Sequence, residues 1–586
     1  MRRSFQWTII LGVLLALTLG VAACGGDDSS SSEGSTNQGT PAEGKQGGKL
    51  TELWTDDTDN IDPGITYYQM GFQINAATQK SLYGYKPDDA VNAVPDLAES
   101  DPQISNGGKT VTLKIKKGVK FSPPVNREVT SKDVKYAIER GFFNTVNNGY
   151  AGAYFGDLQG AKVGAKPGTK IKGITTPDDQ TIEFHLTKGV GGVLAGALAL
   201  PLSAPVPEEY ASKFDKNNPS TYGQNQVATG PYMIQNDASG KAIGYEAGRR
   251  IHLVRNPNWD KSLDFKPAYV DEIDMPQGND DTTVASRKIL DGQNMINGDF
   301  SPDPSVLKQV VTKQKDQLAL VPNGGGRWVA MNTTIPPFND VNVRRAVVAG
   351  FNREAMRLTR GGQLIGDIPT HFIPPGVPGF EEAGGLKGPG IDFMSHPAGD
   401  PALSAEYFKK AGYSSGKYEG NQELLMVGTS EGVAQKAAEV AKENFEKMGF
   451  KVRLRLVTQD AMYTKFCNSP PAKVAICPNV GWLKDFSDAQ TFIDPTFNGE
   501  NILQTGNSNW SQLNDKALNA EMDKAKTITD PSERAKAWGE IDKKLTELAP
   551  AVNWVWDKQP EIQSSNVNGV ISEDNAQYDL SFTSLK

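Results

Sequence analysis

A chain of 586 residues is too long for one hydrophobic core, so two or three domains are expected. The net charge of −8 leaves no basic stripe of the kind nucleic-acid binding needs. The 60 Gly and 36 Pro make the chain loop-rich, yet 38% hydrophobic residues still suffice for real cores. His185, His252, His371 and His396 are dispersed without metal-ligand spacing, so neither a metal nor another cofactor is expected.

Arg2 and Arg3 precede the apolar run Trp7–Ala23, which is followed by Cys24. Positive, apolar and small-residue regions in that order read as an export signal over 1–23. Val21-Ala22-Ala23-Cys24 resembles a lipobox, whose Cys takes a diacylglycerol; an ordinary signal peptide or a short span is the alternative. A span needs about 20 apolar residues. The stretch 24–47, rich in Gly, Ser, Asp, Thr and Glu, cannot bury enough apolar surface to offset its ordering entropy and reads as a flexible tether. Export permits a disulfide. With Cys24 lipidated, Cys467 and Cys477 remain as a pair around Pro470 and Pro471, either bridged or as two free thiols.

The folded part begins near Gly47-Gly48-Lys49-Leu50. Asp62-Pro63 marks a turn before Tyr67-Tyr68, which are either ligand-facing or plain packing. Val111, Leu113 and Ile115 alternate with polar residues as a half-buried strand, and Lys117-Gly118 turns it into Val119-Lys120-Phe121. Thr130 and Asp133 make a capping-box start, with Asp in place of Glu or Gln. Val134, Ala137 and Ile138 continue it as an amphipathic stripe. Ile182, Phe184 and Leu186 alternate as a second strand.

Val94–Ser100 has the form P-x-L-A-x-S after its Val, Thr110–Phe121 ends in K-x-G-V-K-F, and Thr130–Arg140 reads T-x-x-D-V-x-x-x-x-x-R. This series resembles the family 5 extracellular solute-binding proteins of ABC transporters, which include oligopeptide, dipeptide and nickel binders. Ser122-Pro123-Pro124 departs from the His-Asp-Gly common in the family, in a loop expected far from the ligand. Ala228–Tyr232, Leu253–Trp259, Asn342–Ala346, Phe351–Glu354 and Gly481-Trp482 with Asp485 resemble further family motifs in the same order. Together they span Gly48 to Trp556.

The second half reads consistently from its own residues. Leu424–Gly428 is a buried-strand candidate, and Val433, Ala437, Val440, Ala441, Phe445 and Met448 trace a helix ending at Gly449. Val452, Leu454 and Leu456 follow as a strand, completing a β-α-β unit with a parallel pair. Asp400-Pro401 starts a helix through Phe408, closed by Gly412. Ala535, Trp538, Ile541, Leu545 and Leu548 mark a late helix. Gly324-Gly325-Gly326 lacks the G-x-x-x-x-G-K-[ST] of a phosphate loop and reads as a linker.

Mixed strands and helices in two halves fit a two-lobed α/β protein. The resemblance implies a periplasmic-binding-protein type II-like fold with mixed sheets and two interlobe crossovers, at 323–334 and 549–558. It places the first lobe in 48–83, 205–322 and 559–586, an extra subdomain in 84–204, and the second lobe in 335–548.

The sequence lacks G-x-S-x-G, H-E-x-x-H, C-x-x-C and a dinucleotide fingerprint, and Asp56-Asp57 and Asp280-Asp281 read as solvated acids, so no enzyme is expected. The resemblance implies a monomeric, lipid-anchored receptor on the extracytoplasmic face, passing a solute, above all a peptide, to an ABC permease. In this reading Asp485 holds a ligand amine, Trp482 is a pocket wall, and Asn479, Val480 and Gly481 pair with peptide backbone as an added strand. Tyr67 and Tyr68 face them, with Arg327 and Trp328 beside the cleft and Arg327 the one candidate for a ligand carboxylate. Phe486 stands where the family commonly has Tyr. A surface lipoprotein acting as sensor, adhesin or chaperone, a binder of oligosaccharide or metal chelate, and an envelope hydrolase are the alternatives.

Overall fold

The computed structural model describes residues 43–586 except 56–57 and 431, with the side chains of 432, 433 and 460 also left aside. Cys24, the segment 1–23, the tether up to residue 42, the Asp56-Asp57 pair and the Val433 side chain therefore lie outside the described residues.

Local signals produce the expected local elements. Thr130 and Asp133 close a reciprocal capping box at the start of the helix Ser131–Gly141. The Asp133 carboxylate also takes two hydrogen bonds from Arg127, at 2.7 and 2.8 Å. The alternating segment forms the strand Thr110–Lys114, which pairs antiparallel with Thr181–His185 in a four-stranded sheet with Gln103–Ser105 and Ile174–Thr175. Leu113, Ile182, Phe184 and Ile138 share the core beneath that sheet.

Two six-stranded sheets form the two lobes. In the first, Lys49–Leu53 runs parallel to both Glu272–Pro276 and Met295–Asn297. Arg250–Arg255 and Tyr232–Ile234 extend it antiparallel. In the second, Glu423–Thr429 and Lys451–Val457 are parallel neighbours joined by the helix Gly432–Lys447, the expected β-α-β unit. Asp400 caps the helix Pro401–Lys410 by accepting from the backbone of Ala402 and Leu403. Gly449 adopts φ +95°, a conformation that glycine enters without steric cost.

The lobes are joined by two long antiparallel strands, Leu318–Met331 and Ala551–Ile562, paired from Leu318↔Ile562 to Ala330↔Ala551. The expectation of a linker at Gly324–Gly326 is corrected here, because all three glycines lie inside the first of these strands. Their smallness serves close approach. A Cβ on Gly324 would lie 2.8 Å from Cδ of Lys484, and one on Gly325 only 2.3 Å from Cδ2 of Leu483. The ladder shifts register between Pro322 and Gly326, so the crossover bends without leaving the sheet.

Two acids are buried where these strands meet the first lobe. Glu52 lies on Lys49–Leu53 and Glu561 on Ala551–Ile562, both without exposed surface. Burial pushes the Glu52 carboxyl up to about 8, despite the 2.9 Å hydrogen bond it accepts from Gln73. Burial, and then the charge of Glu52, raises Glu561 as well. A raised carboxyl contributes stability that is complete below its unfolded value near 4.5 and is lost as pH rises through its folded value. Wild-type melting temperature should therefore fall between pH 5 and 9, and Glu561→Gln should flatten that fall. Parallel melting curves for the two proteins across this range would refute the assignment.

Candidate ligand-binding site

The strand Ile476–Leu483 lies in the second sheet, antiparallel to Leu318–Met331, with Val480 opposite Trp328, Gly481 opposite Arg327 and Trp482 opposite Gly326. On its other side it has a register partner only at Ile476, opposite Met426. From Asn479 onward that side has no neighbouring strand among the described residues. Cys467 and Cys477 are bridged, with Cα atoms 6.1 Å apart. The bridge ties the turn Met462–Cys467 to the first residues of the strand. The loop that follows, residues 484–489, leads into the helix Gln490–Phe497.

Asp485 sits in this loop. The hydroxyl of Tyr154 donates to its carboxylate, and its backbone N–H donates to Thr491 Oγ1. Burial pushes the carboxyl up to about 7, the Tyr154 hydrogen bond acting in the opposite direction. Tyr154 opens a row of rings. It packs edge-on against Phe486 at 5.0 Å and stacks with Tyr150 at 6.1 Å, and Tyr150 stacks on Tyr67 at 4.8 Å. The charge of Asp485 raises the Tyr150 and Tyr154 phenols further than burial alone does. Among the described residues Asp485 has no ion pair. A buried carboxylate walled by aromatic faces and lacking a cation of its own is suited to a ligand ammonium group.

The same loop fastens the lobes. Lys484 Nζ lies 3.0 Å from Asp574 Oδ1 and donates to the carbonyl of Ala90. Phe486 is 2% exposed and enters the core of the first lobe's subdomain with Leu194 and Ala197. A Cβ on Gly196 would lie 2.6 Å from the Phe486 ring, so only glycine leaves room there. The backbone of Ser487 donates to the Tyr85 hydroxyl.

The other residues singled out from the sequence fall into distinct places. Tyr67 joins the ring row, whereas Tyr68 is 61% exposed and stacks on no ring among the described residues. Trp482 is half-buried, its indole N–H held by the carbonyl of Thr491 at 2.8 Å and its edge against Trp510. Arg327 pairs with Asp557 at 2.8 Å. Asn479 is buried, and its side-chain oxygen has no hydrogen-bond partner among the described residues. The Val480 side chain is fully buried, which leaves only its backbone for a ligand. Trp328 needs correction as a cleft residue. It is 1% exposed, enclosed by Phe372, Phe492, Phe497 and Trp510, because its position on the strand points into the second-lobe core. Tyr150 and Tyr154 were missed in the sequence, although their Tyr-x-x-x-Tyr spacing sets both rings on one helical face.

Residues 92–504 match the model of the bacterial extracellular solute-binding proteins, family 5 middle region. The chain is 25% identical over 547 residues to heme-binding protein A of Haemophilus influenzae, covering 92% of each chain. It is 23% identical to the dipeptide-binding protein of Escherichia coli K12, covering 78% of this chain and 80% of that one. It is also 23% identical to the oligopeptide-binding protein AppA of Bacillus subtilis, covering 94% and 93%. Its fold resembles that of clavulanic acid biosynthesis oligopeptide binding protein 2, with a TM-score of 0.80, 24% identity, and coverage of 92% and 96%. It also resembles DppA from Helicobacter pylori in complex with the peptide STSA, with a TM-score of 0.69, 20% identity, and coverage of 92% and 98%. Two lobes joined by paired strands, a cleft-side loop and a match across most of the chain agree: the chain belongs to the family 5 bacterial extracellular solute-binding proteins.

Proposed function

We propose that the protein is a receptor that captures a peptide by lobe closure and delivers it to an ABC permease. The observation that carries this reading is Asp485, a buried carboxylate without an ion pair among the described residues, placed against the Tyr67, Tyr150 and Tyr154 rings. A ligand α-ammonium supplies the missing charge, and the side of the strand from Asn479 to Leu483 that lacks a neighbouring strand, where the Tyr463 hydroxyl meets the Gly481 backbone, accepts the peptide backbone. Trp482 flanks that strand as a wall. Binding through backbone and amine leaves side-chain identity loosely specified. No step of this reading requires turnover, so the protein is a receptor rather than an enzyme.

The proposal includes a lipid anchor at Cys24, a site on the outer face of the membrane, a monomeric state, and the division into 48–83, 205–322 and 559–586, 84–204, and 335–548. No helix among the described residues is long and apolar enough to cross a membrane. Native mass spectrometry of protein purified from its own cells tests the ligand class. Peptides with a free amine should co-purify, and a bound solute without a basic nitrogen would overturn the reading.

The loop also makes closure testable. Phe486 loses its surface only when the lobes are together, so its burial favours the closed state by about 1.5–3 kcal/mol. Phe486→Ala should lower peptide affinity roughly tenfold or more. It should also enlarge the radius of gyration with peptide present, while the melting temperature of the unliganded protein changes little. Unchanged affinity and scattering would show that Phe486 is no part of closure.

A further inference from the structure

Lys484 carries a charge across the seam between the lobes. It follows the strand Ile476–Leu483, and its backbone N–H donates to the Gly324 carbonyl at 3.0 Å, so the crossover strand Leu318–Met331 sets its position. Its stem lies over Gly324, where a Cβ would meet Cδ, Cε and Cγ at 2.8–2.9 Å. Gly324 also has φ +65°, so backbone and neighbour alike favour glycine under this lysine. The Lys484 side chain is 2% exposed. Its Nζ has three partners on the first-lobe side: Asp574 Oδ1 at 3.0 Å, the Ala90 carbonyl at 3.1 Å and the Tyr85 ring, 5.8 Å to the centroid.

The partners belong to an acidic patch. The Glu573 backbone donates to the Pro87 carbonyl at 2.8 Å, which brings Asp88 and Asp89 beside Glu573 and Asp574. Burial, and then the charges of Asp88 and Asp89, hold the Glu573 carboxyl above its usual value, while Lys484 opposes them. Among the described residues no other cation forms an ion pair with any of these four acids.

We propose that Lys484 is an electrostatic latch that draws the lobes together before any solute is bound. This rests on the reading of the lobes as closing, and not on the ligand being a peptide. With the lobes apart the four acids face one another without a paired cation, and closure supplies one. A charge-assisted contact of this kind raises the ratio of closed to open molecules about tenfold or more. Lys484 precedes Asp485, so seating the lysine also carries Asp485 up to Tyr154 of the facing lobe. The site is then assembled in advance, and a solute loses less of its affinity to the open fraction.

Small-angle scattering of ligand-free protein, stripped of co-purifying solute by unfolding and refolding, tests the latch with no ligand present. Wild type should be more compact than Asp574→Asn and Lys484→Met, whose closed-to-open ratio should fall about tenfold. Both groups reach water in the open form, so both variants should keep the wild-type circular dichroism spectrum and melt close to it. Lys484→Met added to Asp574→Asn should expand the protein less than it does alone, as expected of two groups that act as a pair. Equal scattering in all four proteins, whether compact or expanded, overturns the latch. Fully additive expansion overturns it too, because the two groups then act separately. A co-purifying solute without a basic nitrogen would sink the peptide reading and leave this order of scattering unchanged.

Discussion

Asp485→Asn should weaken binding of free-amine peptides tenfold or more, because a charge-assisted hydrogen bond is worth about 1.5–3 kcal/mol. It should also remove a pH dependence. In the unliganded protein burial holds the Asp485 carboxyl up to about 7, so near neutrality it is partly protonated. A bound ammonium favours the charged carboxylate, so binding expels a proton below that value. Wild-type affinity should therefore fall by up to about tenfold per unit as pH drops below 7, and level off above. The asparagine variant should show no such slope. Without ligand the sign reverses: the raised carboxyl lends stability that is complete below 3.8 and is lost as pH rises through about 7. The variant should thus melt higher than wild type at pH 8 while binding worse. Calorimetry from pH 5.5 to 8, in two buffers of different ionisation enthalpy, measures both affinity and released protons. Equal affinity and equal slope in the two proteins would remove Asp485 from recognition.

Arg140→Met should cost the fold about 3–5 kcal/mol. Arg140 ends the helix Ser131–Gly141 with no exposed surface. It bonds both oxygens of Asp62, at 2.7 and 2.8 Å, and Asp215 at 2.7 Å, over the ring of Tyr222. Removing it leaves two buried carboxylates without a counter-charge. The damage should reach the site, because the Asp62 carbonyl accepts from Ile65 and Thr66, the turn that delivers Tyr67 to Tyr150. Urea denaturation should show the loss, and Asp215→Asn in the same background should restore part of it. A loss below about 1 kcal/mol would mean the ion cluster is dispensable.

What the sequence determined alone was whatever depends on near neighbours. The Thr130–Asp133 capping box, the Asp400 cap before Pro401 and the positive-φ glycine after the helix Gly432–Lys447 each act within a few residues, and each formed as read. The β-α-β order from Leu424 to Leu456 was legible because strand and helix periods differ over a short window. The cysteine pair at separation 10 needed only counting to propose. The family motifs likewise pointed to the loop around Trp482 and Asp485 before any neighbour was known.

Tertiary structure decided the rest, for a physical reason. Trp328 and Arg327 are adjacent in sequence, yet opposite faces of one strand send the first into an aromatic core and the second toward Asp557. Gly324–Gly326 looked like a linker because smallness signals freedom as readily as close packing, and only the positions of Leu483 and Lys484 distinguish the two. Tyr154 reaches Asp485 across 331 residues, Lys484 reaches Asp574 across 90, and Arg360 meets Asp557 across 197. The residues around Asp485 are brought together by long-range pairing of strands and lobes, and no local pattern records which distant side chains will meet.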